Sequence, residues 1–284
     1  MSDPEQHPLE PSQPLQDSEW PSVESRSQAA FPTTAATKAE EFPTWSLWDL
    51  LVIIGFGVSA WVILSSIALG VAHLIPSLAH ASIQELASNA VLMLGAQSVT
   101  EFLVFLFMMA WIGRRTLAGF WNGIQWNWPR AGGVRFVIGG VILALVVEFV
   151  GRFLPIPKSL PMEKLFSGMA AAYLMSALGI LLAPLLEELF FRGLFYPLAR
   201  RWAGVAAAVP LTATLFGAIH ATQLGFAWAP LLSIFVVGLV FTLVRERTGS
   251  VAASFLMHCG YNLALFGSLW VASDGFLHLD KAMN

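Results

Sequence analysis

The sequence has little charge, one cysteine and too few basic residues for a nucleic-acid-binding surface. Only 12% of its 284 residues are charged, against about a quarter in a soluble domain, which excludes an ordinary soluble protein. Its 15 lysines and arginines are outnumbered by 18 acids, so no nucleic-acid partner is expected. The single Cys259 excludes an internal disulfide and a zinc site built from several thiolates.

Hydrophobic residues are abundant instead, at 56% of the chain. From residue 45 onward they form stretches close to the roughly 20 residues that a helix needs to cross the hydrocarbon core. The sequence therefore predicts an all-α fold, a polytopic membrane helix bundle with about seven transmembrane helices. The stretches cover approximately residues 48–75, 90–112, 134–154, 171–199, 205–223, 229–244 and 251–271.

The leading segment, residues 1–44, has a different composition. It carries eight acids against Arg26 and Lys38 and is rich in proline, serine, glutamine and alanine. Such a segment cannot bury enough apolar area to offset its ordering entropy. We expect a disordered acidic cytoplasmic tail rather than a signal peptide. Two further parts follow: residues 45–168, with transmembrane helices 1–3 and an interfacial loop, and residues 169–284, a transmembrane core.

Lysines and arginines concentrate in alternate connections between the apolar stretches. Such residues mark the cytoplasmic side of a membrane protein. We therefore expect an integral membrane protein with a cytoplasmic N-terminus and an outside C-terminus. The cations that carry this pattern are Arg114, Arg115, Arg130, Arg135, Arg200, Arg201, Arg245 and Arg247.

Polar groups inside the apolar stretches are informative because each costs free energy unless it is paired or hydrated. The second half of the chain collects most of them. They are Glu187, Glu188, Arg192, His220, His258 and Asn262.

Helical geometry predicts that four of these side chains converge. If the fourth and fifth helices form a hairpin around residues 201–204, Glu187 and His220 both lie about 20 to 25 Å from the turn. On the last helix, His258 and Asn262 are one turn apart on the same face. The spacing therefore predicts one pocket that holds Glu187, His220, His258 and Asn262.

The two adjacent carboxylates need not share a role. Glu188 and Arg192 are four residues apart, the favourable order for an ion pair on one helical face. Glu187 points about 100° away from Glu188. Pro184 lacks an amide hydrogen, so we expect it to free the carbonyl of Ile180 and to kink the helix, which would admit water to Glu187.

Three motifs in order resemble those of a known family. The stretch 183–193, APLLEELFFRG, closely resembles the EExxxR motif of the CAAX prenyl protease type II and bacteriocin-processing (CPBP, Abi-like) family of intramembrane proteases. Residues 216–220, FGAIH, resemble its FxxxH motif, and residues 258–262, HCGYN, resemble its HxxxN motif. The resemblance covers about residues 170–272.

The resemblance implies an endopeptidase whose active site lies within the membrane, open to the cytoplasm in members that process prenylated proteins. It implies Glu187 as the general base that activates a water and His220 as a group that holds or polarises that water. It implies that His258 and Asn262 stabilise the oxyanion. The small single-module members of the family suggest a bacterial plasma membrane, where secreted peptides or membrane proteins would be alternatives to prenylated substrates.

The cofactor is left open between none and zinc. The family is often called metalloprotease, and the two glutamates and two histidines could supply a zinc site with an open position. There is no His-Glu-x-x-His helix, the commonest spacing for a zinc protease. We favour a metal-free glutamate, and we assign the motif residues Glu188 and Arg192 to local organisation of the site.

Two other functions compete with a protease. The first is a catalytically inactive membrane scaffold or self-immunity protein that uses the fold to bind a partner. The second is an ion or proton transporter that uses Glu101, Glu148 and Glu187, the acids placed inside apolar stretches. For the protease, the expected partners are a peptide or a lipidated or membrane-embedded protein substrate, together with membrane lipid.

Overall fold

A computed structural model describes residues 42–130, 132–157 and 159–280, and these residues form helices and connections without a strand. The expected disordered tail, residues 1–44, lies almost entirely outside the described residues. The helices are α1 (Leu47–Ala72), α2 (Ile83–Ser88), α3 (Ala90–Gly113), α4 (Gly119–Gly123), α5 (Val134–Gly151), α6 (Met169–Ala177), α7 (Ala183–Glu188), α8 (Tyr196–Ile219), α9 (Trp228–Thr248) and α10 (Val251–Ala272). A 3-10 helix (Pro161–Phe166) precedes α6, and π-helical segments (Leu178–Leu182 and Leu189–Phe195) flank α7.

Six helical stretches among the described residues are long and apolar enough to cross a membrane. One of them, Met169–Ile219, turns back at Gly204, whose φ of 71° favours glycine. Its two arms lie side by side, because Phe191 and Phe216 have ring centroids only 5.4 Å apart. The all-α membrane bundle and the hairpin between the fourth and fifth predicted helices are both confirmed.

The basic connections meet at one end of the bundle. Arg115 forms a 2.9 Å ion pair with Asp49, which joins the end of α3 to the start of α1. Arg201, beside the Gly204 turn, donates a hydrogen bond to the carbonyl of Pro43. Alternate connections share this end, so the basic residues lie at one end of the bundle. The orientation of that end toward the cytoplasm stays a prediction.

Helices α5 and α10 pack against each other over much of their length, and two glycines allow the closest approach. A Cβ on Gly140 would overlap the carbonyl oxygen of Met257 and would lie 2.6 Å from the amide nitrogen of Tyr261. A Cβ on Gly260 would overlap the carbonyl of Val137. Because these backbones touch, the crossing fixes the position of α10, the helix that carries His258.

The contact between α5 and α10 predicts different stability effects for alanine substitutions at two neighbouring glycines. We expect Gly140→Ala to destabilise the protein by about 1 to 3 kcal/mol, the cost of overpacking a close contact. Gly139→Ala is the matched control, because its Cβ would meet only the terminal methyl of Met257 at 3.5 Å. Thermal unfolding in detergent measures both, and equal midpoints for the two variants would contradict the assigned crossing.

Candidate active site

The fully buried ion pair between Glu188 and Arg192 organises the centre of the bundle. The Arg192 Nη1 atom lies 2.9 Å from Glu188 Oε1. The remaining guanidinium donors reach the hydroxyl of Thr242 and the carbonyl of Gly238 on α9. The pair therefore ties α7 and the π-helical segment after it to α9. This geometry agrees with the predicted i, i+4 pairing within the motif.

His258 lies between the two adjacent carboxylates of α7. Its Nδ1 atom is 3.0 Å from Glu188 Oε1, and its Nε2 atom is 3.8 Å from Glu187 Oε2. Since an ionised carboxylate only accepts hydrogen bonds, Nδ1 of His258 donates to Glu188. Glu188 thereby orients the ring so that Nε2 faces Glu187, an arrangement in which an outer carboxylate fixes the histidine tautomer.

His220 faces Glu187 from the other arm of the hairpin. Its Nδ1 atom donates to the carbonyl of Phe216, 2.8 Å away, because a carbonyl can only accept. Its Nε2 atom is therefore free and lies 3.9 Å from Glu187 Oε1. Glu187, His220 and His258 thus come together as the spacing predicted.

Glu187, His220 and His258, called the trio below, face one another with hydrogen-bond acceptors. A carboxylate and two imidazole nitrogens whose protons are held on Nδ1 cannot bond directly, and their separations of 3.8 and 3.9 Å leave space between them. A water molecule in this space can donate to two of these acceptors. The Glu187 side chain is 22% exposed, so this space is not sealed inside the bundle.

The arrangement does not match a zinc site as it stands. Around a tetrahedral zinc with bonds near 2.0 to 2.1 Å, neighbouring ligand atoms are about 3.4 Å apart, which is less than either separation from Glu187. Within residues 42–130, 132–157 and 159–280, no group of three or more histidine, cysteine, aspartate or glutamate residues is placed to hold a metal ion.

Asn262 is placed differently from the other predicted site residues. Its Nδ2 atom donates a 2.6 Å hydrogen bond to the carbonyl of Gly179, in the π-helical segment before α7. The structure thus brings three of the four predicted residues together around Glu187, and it directs the amide of Asn262 to the backbone.

The local effect of Pro184 also differs from the expectation. The amide of Ala183 donates to the carbonyl of Leu178, five residues earlier, so the helix is in π register here. In that register the acceptor opposite residue 184 is Gly179 rather than Ile180. The prediction that Pro184 frees the Ile180 carbonyl assumed α-helical register; in the π register at Ala183 the carbonyl opposite residue 184 is that of Gly179, which accepts from Asn262.

Aromatic rings that the sequence reasoning left out enclose the histidines. The ring of Phe241 lies 4.6 Å from that of His258, and the ring of Phe216 lies 5.1 Å from that of His220, between centroids. The guanidinium of Arg192 sits 4.4 Å from the Phe216 centroid. Phe216 opens the FxxxH motif and was therefore visible in the sequence, whereas Phe241 has no such signal.

A cavity of about 300 Å³ lies at the basic end, lined among others by Arg200, Arg201 and Arg245. The buried Arg245 donates to the carbonyl of Arg192 and to the side chain of Gln125. Arg245 therefore supports the second π-helical segment from α9. The cavity does not include Glu187, so it is separate from the trio.

The other two acids considered for transport are placed unequally. Glu101 on α3 accepts a 2.7 Å hydrogen bond from Gln97, and its buried Oε2 atom has no hydrogen-bond partner among the described residues. Glu148 on α5 is 45% exposed and pairs with Arg152 one turn on. The three acids of the transporter hypothesis are therefore not all in one pocket.

The buried pair at the centre yields a stability prediction. We expect Arg192→Met to destabilise the protein by about 3 to 5 kcal/mol, because it leaves the Glu188 charge buried without its partner. Arg152→Met breaks an exposed pair of the same i, i+4 spacing, and we expect a change of no more than about 0.5 kcal/mol. Denaturation in detergent compares them, and similar losses would contradict the role of burial.

Comparison with known proteins identifies the part of the chain that carries this site. Residues 169–264 match the family model described as type II CAAX prenyl endopeptidase Rce1-like. This match supports CPBP family membership for residues 169–264, called the CPBP segment below. The matched CPBP segment contains both arms of the hairpin, α9 and most of α10, so all six residues that resemble the family motifs lie inside it.

A relative from Escherichia coli, named only as an uncharacterized 24.3 kDa protein, is 29% identical over 164 residues. The alignment covers 55% of this chain and 69% of the relative. No solved structure matches. The CPBP segment and the apolar helices together indicate an integral membrane protein of the CAAX-type intramembrane endopeptidase class.

Proposed function

We propose that this protein hydrolyses a peptide bond of a membrane-associated protein or peptide through a water activated by Glu187. The observation that carries the proposal is the convergence of Glu187 with two histidines whose Nε2 atoms face it at 3.8 and 3.9 Å. This convergence supports a general base with preoriented partners in a setting of low dielectric constant, where such groups act strongly.

In the proposed reaction, one proton passes from the water to Glu187 and then from Glu187 to the leaving amine. Glu187 takes a proton from the water as its oxygen attacks the scissile carbonyl carbon, and the carbonyl oxygen becomes the oxyanion. Glu187 then gives that proton to the leaving amine as the carbon–nitrogen bond breaks. His220 accepts a hydrogen bond at Nε2 from the second O–H of the water and so orients the nucleophile, with its own Nδ1 held by the Phe216 carbonyl.

His258 is the proposed electrostatic partner of the oxyanion. In the arrangement described above it donates from Nδ1 to Glu188, and its Nε2 faces the space beside Glu187; the proposed donation to the oxyanion requires a second proton, on Nε2. The buried Glu188 and Arg192 pair keeps the ring in that orientation and does not touch the reacting atoms. In this proposal some motif residues contact the substrate, whereas Glu188 and Arg192 position those residues.

The proposed mechanism uses no metal step. The separations of 3.9 and 3.8 Å from Glu187 are wider than those of tetrahedral zinc ligands, and they leave room for a water that donates to two of the three acceptors. The test is metal analysis of active, purified protein. We expect activity with zinc far below one ion per chain. Stoichiometric zinc that is lost together with activity in both Glu187→Ala and His220→Ala would overturn this part of the proposal.

The CPBP segment supports a membrane-associated protein or peptide as the proposed substrate. Either the C-terminal end of a prenylated protein or an unprenylated membrane-associated peptide, as in bacteriocin processing, could present a bond to a site within the bundle. We place this site in a plasma membrane with the basic end toward the cytoplasm, where the alternate arginines favour it.

The experiment that tests the activity compares substrates directly. A fluorogenic farnesylated CAAX peptide and a library of unprenylated peptides are incubated with the detergent-purified wild type, Glu187→Ala and His220→Ala. Cleavage by the wild type alone supports the proposal and defines the substrate class. Equal cleavage by all three folded proteins would contradict it, and a lack of cleavage of every probe would favour the scaffold or immunity function.

A further inference from the structure

The backbone before Glu187 contains a carbonyl that has lost its normal donor. In the π-helical segment Leu178–Leu182, the amide of Ala183 donates to the carbonyl of Leu178. The next residue in this register would donate to Gly179, but residue 184 is a proline and has no amide hydrogen. The Gly179 carbonyl therefore needs a donor from elsewhere, since buried backbone acceptors are costly to leave unpaired.

Asn262 supplies that donor from another helix. Its Nδ2 atom lies 2.6 Å from the Gly179 oxygen, although the two residues are far apart in sequence. Helix α10 lies close to the backbone at this point, because a Cβ on Gly179 would be 2.6 Å from the ring of Phe266. The side-chain amide of Asn262 thus takes the place of the missing backbone amide of Pro184.

Helix α10 contacts the segment that carries Glu187 both before and after Pro184. One turn before Asn262, His258 donates to Glu188 and faces Glu187. One turn beyond the proline, Glu187 projects toward the histidines. Helix α10 therefore contacts the chain on the N-terminal side of Pro184 through Asn262 and on its C-terminal side through His258.

We infer that Asn262 is a positioning residue, which holds the π turn at Gly179 and thereby sets the direction of the Glu187 carboxylate. This inference rests on the proposed function. It is distinct from the expectation that Asn262 donates to the oxyanion, because one of the two hydrogens on Nδ2 bonds the Gly179 carbonyl. A π turn shifts every later side chain around the helix axis relative to α register, so loss of the bond displaces Glu187.

The decisive variant restores the missing backbone donor. Asn262→Leu removes the side-chain amide at similar volume, and we expect kcat to fall about 10- to 100-fold with little change in KM, the effect of misplacing a catalytic group. Pro184→Ala returns an amide hydrogen at the position opposite Gly179. In the double variant, Asn262→Leu with Pro184→Ala, we expect most of the lost kcat to return.

Pro210→Ala is the matched control, because Pro210 lies inside α8 and away from Gly179. Its combination with Asn262→Leu should show no recovery. The inference is overturned if the double variant with Pro184→Ala folds and stays as inactive as Asn262→Leu, since an oxyanion donor cannot be replaced by a backbone amide at residue 184. Recovery with both prolines would also overturn it.

The thermal unfolding midpoints of the same variants separate this inference from the proposed function. Asn262→Leu should lower the midpoint and Pro184→Ala should restore it, whether or not any peptide is cleaved. If the wild type cleaves no probe but the midpoints show this coupling, the bond is supported and the proposed function fails. If the wild type is active and the midpoints of residues 184 and 262 are independent, the inference fails alone.

Discussion

Glu187→Gln is expected to reduce peptide cleavage about 10³- to 10⁴-fold, the range for removal of a general base whose partners remain in place. The glutamine keeps the size and polarity of the side chain but cannot take a proton from water. His220 and His258 would still face it, so the binding of substrate should change little. The loss should therefore appear in kcat rather than in KM, measured by initial rates over a range of peptide concentrations.

Glu148→Gln is the matched control for this variant. It makes the same chemical change on a membrane helix, at a carboxylate that is 45% exposed and paired with Arg152. We expect its rate to stay within about twofold of wild type, as for a surface substitution away from the site. A comparable loss in both variants would contradict a specific role for Glu187, because it would show that a carboxylate away from the site is needed as much.

The histidine variants have the second largest expected effect. His220→Ala and His258→Ala should each reduce kcat about 10²- to 10³-fold, the usual contribution of one positioned donor or acceptor. Their combination should cost less than the product of the two losses, because groups that act together in one transition state are not additive. Rate measurements on the single and double variants test this relation.

His80→Ala serves as the control for the histidine series, since His80 is exposed in a connection outside the bundle. Its cleavage rate should equal that of the wild type. Full activity in folded His220→Ala would contradict the role given to its Nε2 atom. Strictly multiplicative losses would indicate that the two rings act independently rather than as parts of one site.

The large features of the fold were predictable because they depend on composition and periodicity. Apolar stretches of membrane length gave the bundle, and the run of arginines before Gly204 marked the turn of the hairpin. The approach of Glu187 to His220 followed from counting residues along two antiparallel arms. These inferences need only the rise of a helix and the direction of its neighbours.

The details of the site were less predictable because they depend on helical register and packing. One π turn changes which carbonyl Pro184 leaves free, and sequence periodicity assumes α register throughout. The path of Asn262 to Gly179 depends on how closely α10 approaches, which the missing Cβ of Gly179 permits, since it would lie 2.6 Å from the Phe266 ring. The position of the Phe241 ring beside His258 depends on the rotation of α9 about its axis. No short motif in the sequence encodes that rotation.

Cleavage and ion flux recorded in the same proteoliposomes distinguish a protease from a transporter. The vesicles carry wild type, Glu187→Gln or Glu148→Gln, together with a quenched fluorescent peptide from the cleaved class and a pH-sensitive dye. We expect cleavage by the wild type and Glu148→Gln, its loss in Glu187→Gln, and no flux driven by an imposed proton gradient. Flux that requires Glu187 without any peptide cleavage would contradict this expectation.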